Sequence, residues 1–150
     1  MTRNDSSHRA PGGVVRVSAG VDLVDVWRIS RLAAQPVGMS GVLTERELSY
    51  CHSQARPAEH MAARFAAKEA VLKAFGTGLA QGIRWTDIEI LKDPEGRPAV
   101  ELHGSAARIA TDEGLSVDVS LSHTAHLAIA HAVATWTQPS EALDPSITPR

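Results

Sequence analysis

The chain has a single cysteine, Cys51, so it can form neither an internal disulfide nor a metal site built on paired thiolates. Lysine is nearly as scarce: of 15 cationic residues only Lys68, Lys73 and Lys92 are lysine, and the other 12 are arginine. Cations and carboxylates almost cancel to a formal net charge of −2, which removes the broad basic footprint that nucleic-acid binding needs. Aromatic residues make up only 4%. Trp27, Trp85 and Trp136 are dispersed and are expected in the core or at subunit contacts, not as a stacking platform. No apolar run approaches the roughly 20 residues that span a bilayer, and the polar N-terminus has no secretory apolar segment. A soluble, cytoplasmic protein that uses neither membrane nor nucleic acid is the expectation.

What is present suits one ordinary domain: 150 residues, 43% of them hydrophobic and 21% charged. Residues 1–16 read as a flexible arm, 17–136 as the folded domain, and 137–150, with Pro139, Pro145 and Pro149, as a disordered tail. Val14 to Val21 predicts a strand that feeds a helix from about Asp25, with Asp22 at the junction. Thr44 is placed to cap a short helix containing Glu47 and Leu48. Pro57 opens the clearest helix, and Gly76 and Gly78 stop it. Ile83 to Leu91 predicts a strand, Asp93-Pro94-Glu95-Gly96 a turn, and Ala99 to Leu102 a second strand. A helix over Ser105 to Glu113, with Ser105 as its cap, ends at Gly114. Val117, Val119 and Leu121 alternate with polar residues, and Leu127, Ile129 and Val133 resume the alternation after a tight turn, which predicts a hairpin. Strands and helices that do not alternate regularly place the fold in the α+β class.

On a helical wheel Met61, Phe65, Leu72 and Phe75 form one apolar stripe. Lys68 falls inside it, Glu69 on its flank, Lys73 one turn beyond Glu69, and Arg64 on the opposite flank. Alanines at positions 62, 63, 66, 67, 70 and 74 leave room for something bulky. A purely structural reading makes Glu69 and Lys73 an i,i+4 pair contributing a few tenths of a kcal/mol, with Lys68 snorkelling outward. The functional reading adds Asp22. Two carboxylates from a strand and a helix suit Mg²⁺, which takes few protein oxygens and leaves the rest to water and phosphate. Lys73 and Arg64 would then stabilise charge on phosphate oxygens.

Other combinations are weaker. His123 and His131 are expected on one strand face with His126 at the turn, but no third ligand stands at zinc-type spacing. Ser122 and His123 are strand neighbours and so point to opposite faces, which disfavours a nucleophilic pair. Gly76-Thr77-Gly78 follows a helix instead of opening one, unlike a phosphate-binding P-loop.

The blocks Gly20-Val-Asp-Leu-Val-Asp-Val-Trp-Arg28, Leu43-Thr-Glu-Arg-Glu47, Arg64-Phe-Ala-Ala-Lys-Glu-Ala-Val-Leu-Lys-Ala-Phe-Gly-Thr-Gly78 and Val119-Ser-Leu-Ser-His-Thr124 resemble the holo-acyl-carrier-protein synthases, the small 4′-phosphopantetheinyl transferases. The resemblance runs in order over about four fifths of the chain. It implies a compact α+β fold with an antiparallel sheet packed against a long helix. It also implies a reaction in which a serine of an apo acyl carrier protein attacks the β-phosphorus of coenzyme A and adenosine 3′,5′-bisphosphate leaves. By resemblance Asp22 and Glu69 hold the metal, Mg²⁺, and Lys73 lies on the pyrophosphate. Arg64, Gly76 and His123 belong to the cofactor site. Catalysis falls to Asp22, Glu69 and Lys73, with Glu69 or a metal-bound water as alternatives for the base and Lys73 as a proton donor to the leaving phosphate. Homotrimers with sites at subunit boundaries are typical of the family. The family often carries glycine two positions before Gly20, where this chain has Ser18.

Arg28 and Arg31, three apart on the first helix, would share one side of it. Alone they read as a solvated cationic face; with the resemblance they become a basic patch for an acidic carrier-protein helix. Two competing functions stand beside the transferase: a non-catalytic module that binds carrier proteins or nucleotides, and a Mg²⁺-dependent pyrophosphohydrolase.

Overall fold

Pro57 at the first helical position and Gly76 in a left-handed conformation (φ 77°) bound a 19-residue helix, Pro57–Phe75, as the sequence predicts. The computed structural model describes residues 14–137; of the arm expected at 1–16 and the tail expected at 137–150, residues 1–13 and 138–150 lie outside the described residues. In chain order the elements are β1 (Val14–Asp25), α1 (Val26–Ala33), α2 (Glu45–His52), α3 (Pro57–Phe75), a 3₁₀ turn (Trp85–Asp87), β2 (Ile88–Lys92), β3 (Pro98–Leu102), α4 (Gly104–Glu113), β4 (Leu115–His123) and β5 (Leu127–Thr137). Antiparallel pairing gives a three-stranded sheet in the order β1-β5-β4 and a separate β2-β3 ribbon. This is the α+β fold expected, with the sheet packed on the long helix. Val14 pairs with Thr137, so β1 and β5 run past the domain limits of 17 and 136.

Helix α3 is not the amphipathic helix that the wheel suggests. It is enclosed on nearly all sides, with Met61 through Lys68 all buried, and of its later turns only Glu69 and Lys73 keep access to solvent. The alanines do not leave room for a ligand. Ala62, Ala63, Ala66, Ala67, Ala70 and Ala74 are buried in the core that also holds Ala128, Ala130, Ala132 and Ala134 of β5. Small side chains let helix and sheet backbones approach closely. At Gly20 that approach is tightest: a Cβ there would stand 2.0 Å from the Ala70 carbonyl oxygen.

Lys68 does not snorkel to water. It is fully buried, and its ammonium donates to the carbonyls of Trp85 (3.0 Å) and Ile88 (2.6 Å) while pairing with Glu47 at 2.8 Å, so all three N–H groups are used. Burial pushes the Lys68 ammonium below the usual lysine range, and the charges of Glu47 and Glu89 pull it back. Glu47 in turn accepts from the Ile90 and Thr44 amides, the latter completing a capping box with Thr44 at the start of α2. The buried pair thereby ties α2, α3 and β2 together. The strand predicted over Ile83 to Leu91 begins only at Ile88, after a 3₁₀ turn whose Trp85 carbonyl accepts from Lys68.

Three further expectations are corrected. Strand β1 continues to Asp25, whose carboxylate caps α1 by accepting from the Trp27 amide (2.8 Å), so Asp22 lies within the strand and not at the junction. Helix α4 is preceded by His103, not capped by Ser105. In the hairpin, residues 124–126 connect strands whose register pairs His123 with Ala128, so odd positions of β4 share a face with even positions of β5. The alanines of β5 therefore face α3, Leu127 and Ile129 face outward, and His131 is exposed while His123 points inward.

Candidate active site

Asp22 shares with Gly20 the face of β1 that packs on α3, because strand side chains alternate. Lys73, in the last turn of α3, reaches across this contact. Its ammonium donates to Asp22 Oδ1 and to the Val21 carbonyl, both at 2.9 Å. Glu69, one turn earlier on the same exposed side, has no hydrogen bond of its own to Lys73. Burial, and next the negative charge of Asp22, push its carboxyl above the usual carboxylate range, against the pull of Lys73 and Arg28. The structure thus brings Asp22, Glu69 and Lys73 together from segments about 50 residues apart. The rotation of α3 that achieves this is set from its other side, since Lys68 is held by three partners and Glu69 and Lys73 point about 100–140° away from it.

Two neighbouring carboxylates with one cation bonded to Asp22 form an incompletely neutralised hard-oxygen donor set, which fits Mg²⁺. Gly76 follows directly, at the left-handed turn that ends α3. Arg28 lies close enough to act on Glu69, whereas Arg31 places its guanidinium 4.8 Å from the ring of Trp27, which is 65% exposed. Of the other tryptophans, Trp136 is buried and Trp85 stacks on Phe65 at 5.4 Å.

Arg64 and His123 do not join this cluster. Arg64 lies about 140° from Glu69 around α3 and lines a separate cavity of about 330 Å³, together with Tyr50, His60, Lys92 and His123. Its guanidinium lies over the Tyr50 ring at 4.1 Å, and the His60 and His123 rings meet edge to face at 5.0 Å. His123 Nδ1 is 3.2 Å from a Glu59 oxygen, outside hydrogen-bond geometry, and Arg64 Nε is enclosed without a partner. No sequence motif points to Tyr50, His60 or Lys92 as site residues. They come from three elements and carry no shared motif. A third polar group, Glu89, Glu101 and His103, is bound internally: Glu89 accepts from Thr44, meets His103 at 2.8 Å and pairs with Arg46 at 3.4 Å.

Residues 18–130 match the model of the 4′-phosphopantetheinyl transferase superfamily. A holo-[acyl-carrier-protein] synthase of Geobacter sulfurreducens is 44% identical over 117 residues, covering 76% of this chain and 93% of that one. One from Koribacter versatilis is 40% identical over 121 residues, covering 78% and 96%. Among solved structures, the synthase of Neisseria meningitidis superposes with a TM-score of 0.72 at 32% identity, over 78% of this chain and 96% of that one. The coenzyme A complex of the Chronobacterium ammoniagenes synthase has the same TM-score at 27% identity, covering 82% and 99%. Sequence match and fold agree with the strand-to-helix meeting of Asp22, Glu69 and Lys73: the chain belongs to the 4′-phosphopantetheinyl transferase superfamily, among its holo-acyl-carrier-protein synthases.

Proposed function

We propose that this chain carries out its family's transfer of 4′-phosphopantetheine from coenzyme A to a serine of an apo acyl carrier protein, with Mg²⁺ held by Asp22 and Glu69. The observation that carries the reading is the contact of Lys73 with Asp22 at 2.9 Å beside the half-buried Glu69. The serine oxygen forms a bond to the β-phosphorus, the bond from that phosphorus to the bridging oxygen breaks, and adenosine 3′,5′-bisphosphate departs. Phosphoryl transfer asks the protein chiefly for position and charge neutralisation. Mg²⁺, when bound, would neutralise the pyrophosphate. In this reading Glu69 would accept the serine proton, and Lys73 would stabilise and protonate the leaving phosphate. Arg28 and Arg31 offer cationic contacts to an acidic carrier protein beside the same carboxylates.

The separation of Arg64 and His123 from Asp22 and Glu69 supports a site shared between subunits, in which one copy supplies the acidic cluster and its neighbour the nucleotide contacts. A second feature favours a homotrimer of this kind. The outer face of the sheet presents Val17, Val21, Leu23, Leu127 and Ile129, all 43–63% exposed. A contiguous apolar sheet face of this sort marks an interface. No helix among the described residues is long and apolar enough to cross a membrane. The reading extends to a cytoplasmic enzyme whose catalytic unit is residues 17–136 together with the ends of β1 and β5 that pair beyond those limits, Val14 with Thr137. The deciding experiment mixes the protein with coenzyme A, Mg²⁺ and an apo carrier protein and weighs the carrier by mass spectrometry. A phosphopantetheine adduct supports the transferase; hydrolysed coenzyme A with unmodified carrier would indicate the pyrophosphohydrolase, and no change a binding module.

A further inference from the structure

The cavity around Arg64 has more cationic capacity than its anionic neighbours can balance. Arg64 is only 4% exposed; beside its stacking on the Tyr50 ring, its guanidinium makes one long hydrogen bond, 3.5 Å, to the His60 carbonyl, and its Nε has no partner among the described residues. An enclosed, under-satisfied guanidinium is costly unless a ligand completes it. Lys92 from β2 stands over the same Tyr50 ring as Arg64, 5.2 Å from its centroid. His60 sits between these groups, edge-on to Tyr50 of α2 at 5.7 Å and to His123 of β4 at 5.0 Å. The charged and titratable groups that act on it are Glu59 and Arg64 from its own helix, Lys92 from β2 and His123 from β4. Burial first, then His123, Arg64 and Lys92, hold the imidazole below its ordinary range, and only Glu59 opposes them. An arriving dianion reverses that balance.

Coenzyme A carries two kinds of phosphate. The pyrophosphate is the reacting group and belongs with Asp22, Glu69 and Lys73. The 3′-phosphate is a monoester whose charge at neutral pH is about −1.5 to −2, and it takes no part in the bond change. We propose that His60, which lines the cavity with Arg64, Lys92 and His123, is a specificity-determining residue for this monoester and takes a proton from solvent when the 3′-phosphate enters beside them. The proposal rests on coenzyme A being the co-substrate, as read above. Its consequence is that recognition of the 3′-phosphate is linked to pH, whereas binding of the rest of the nucleotide is not. The sign follows from linkage: binding accompanied by proton uptake strengthens as pH falls, between the lower value for free His60 and the higher value for the bound state.

The test is isothermal titration of the full-length protein at constant Mg²⁺, using coenzyme A and 3′-dephospho-coenzyme A from about pH 8.5 to about 6.5, in two buffers of different ionisation enthalpy. Expected for coenzyme A are proton uptake and an affinity that rises toward pH 6.5, by up to about tenfold per unit at its steepest. The dephospho compound should show neither. In His60→Phe, which keeps an aromatic ring against Tyr50 and His123, the slope and the proton uptake should be lost. His60→Gln provides a second, polar variant should Phe disturb folding. An unchanged slope in the His60 variants, or an equal slope for the dephospho compound, overturns the assignment while leaving the co-substrate intact. Failure of coenzyme A to bind at any pH would instead overturn the co-substrate reading and this inference with it.

Discussion

Lys73 bonds to Asp22 across the helix–strand contact, at 2.9 Å, and not to Glu69, its neighbour one turn back on the same helix. The ammonium is held by that carboxylate and the Val21 carbonyl, two acceptors on one strand. A compact ammonium on a flexible stem can satisfy both, whereas a planar guanidinium is longer and directs its donors in a fixed fork. Lys73→Arg should therefore fold normally and lose on the order of tenfold or more in kcat, measured by carrier-protein transfer; wild-type turnover would remove Lys73 from the chemistry.

Glu69→Gln should lower kcat by at least about 10²-fold, the scale of losing one group that stabilises charge in the transition state. The same variant should melt at a slightly higher temperature than wild type when both are free of Mg²⁺. The carboxyl is pushed above its usual range on folding, so its ionised form disfavours the folded state at neutral pH, and the strain is relieved as pH falls through the folded value. Calorimetry across pH 4 to about 8 reads this directly, with the difference between variant and wild type shrinking toward acid.

Gly20→Ala places a Cβ against backbone, 2.0 Å from the Ala70 oxygen and 2.8 Å from the Ala74 nitrogen. Neither atom can rotate away, so β1 must lift from α3. A loss of about 1–3 kcal/mol in urea unfolding is expected, with an additional fall in activity at temperatures where the variant is still folded, because Asp22 moves with the strand.

Charge reversal on α1 separates two roles. Arg31→Glu should raise the KM for the carrier protein and its sensitivity to salt, by roughly tenfold at low ionic strength, and leave coenzyme A binding unchanged. Arg28→Glu should do this and also lower kcat, because Arg28 acts on the Glu69 carboxylate. A pure coenzyme A defect in either would misplace the patch.

If the site is shared between copies, two inactive variants can repair one another. Glu69→Gln and Arg64→Ala, mixed and reassembled from dissociated subunits, should recover about a quarter of wild-type activity, the statistical share of boundaries that combine an intact half from each. No recovery on verified mixing would place both halves in one subunit.

Much of the fold was legible because it is written in local chemistry. Pro57 and Gly76 bound α3, Thr44 and Glu47 form the capping box, and Asp93 to Gly96 form the turn, each through dihedral preferences and hydrogen bonds within a few residues. Glu69 and Lys73 could likewise be singled out on the flank of an expected apolar stripe, and Asp22 as a second carboxylate from a strand. The role of Lys68 could not. Lys68 and Lys73 are five residues apart, yet one is sealed in the core against Glu47 and the other faces Asp22.

Local chemistry along the chain fixes which segments become helices, strands and turns, most of the helix boundaries, and which residue types can carry the chemistry, because these depend on near neighbours. Which partners those residues meet is set by how the elements pack. Strand register turned His131 outward and His123 inward, and the rotation of α3 divided Arg64 from Glu69. Close helix–sheet packing claimed the alanines that periodicity had left free for a ligand. Contacts of this kind join segments tens of residues apart, and no local preference encodes which of them will touch.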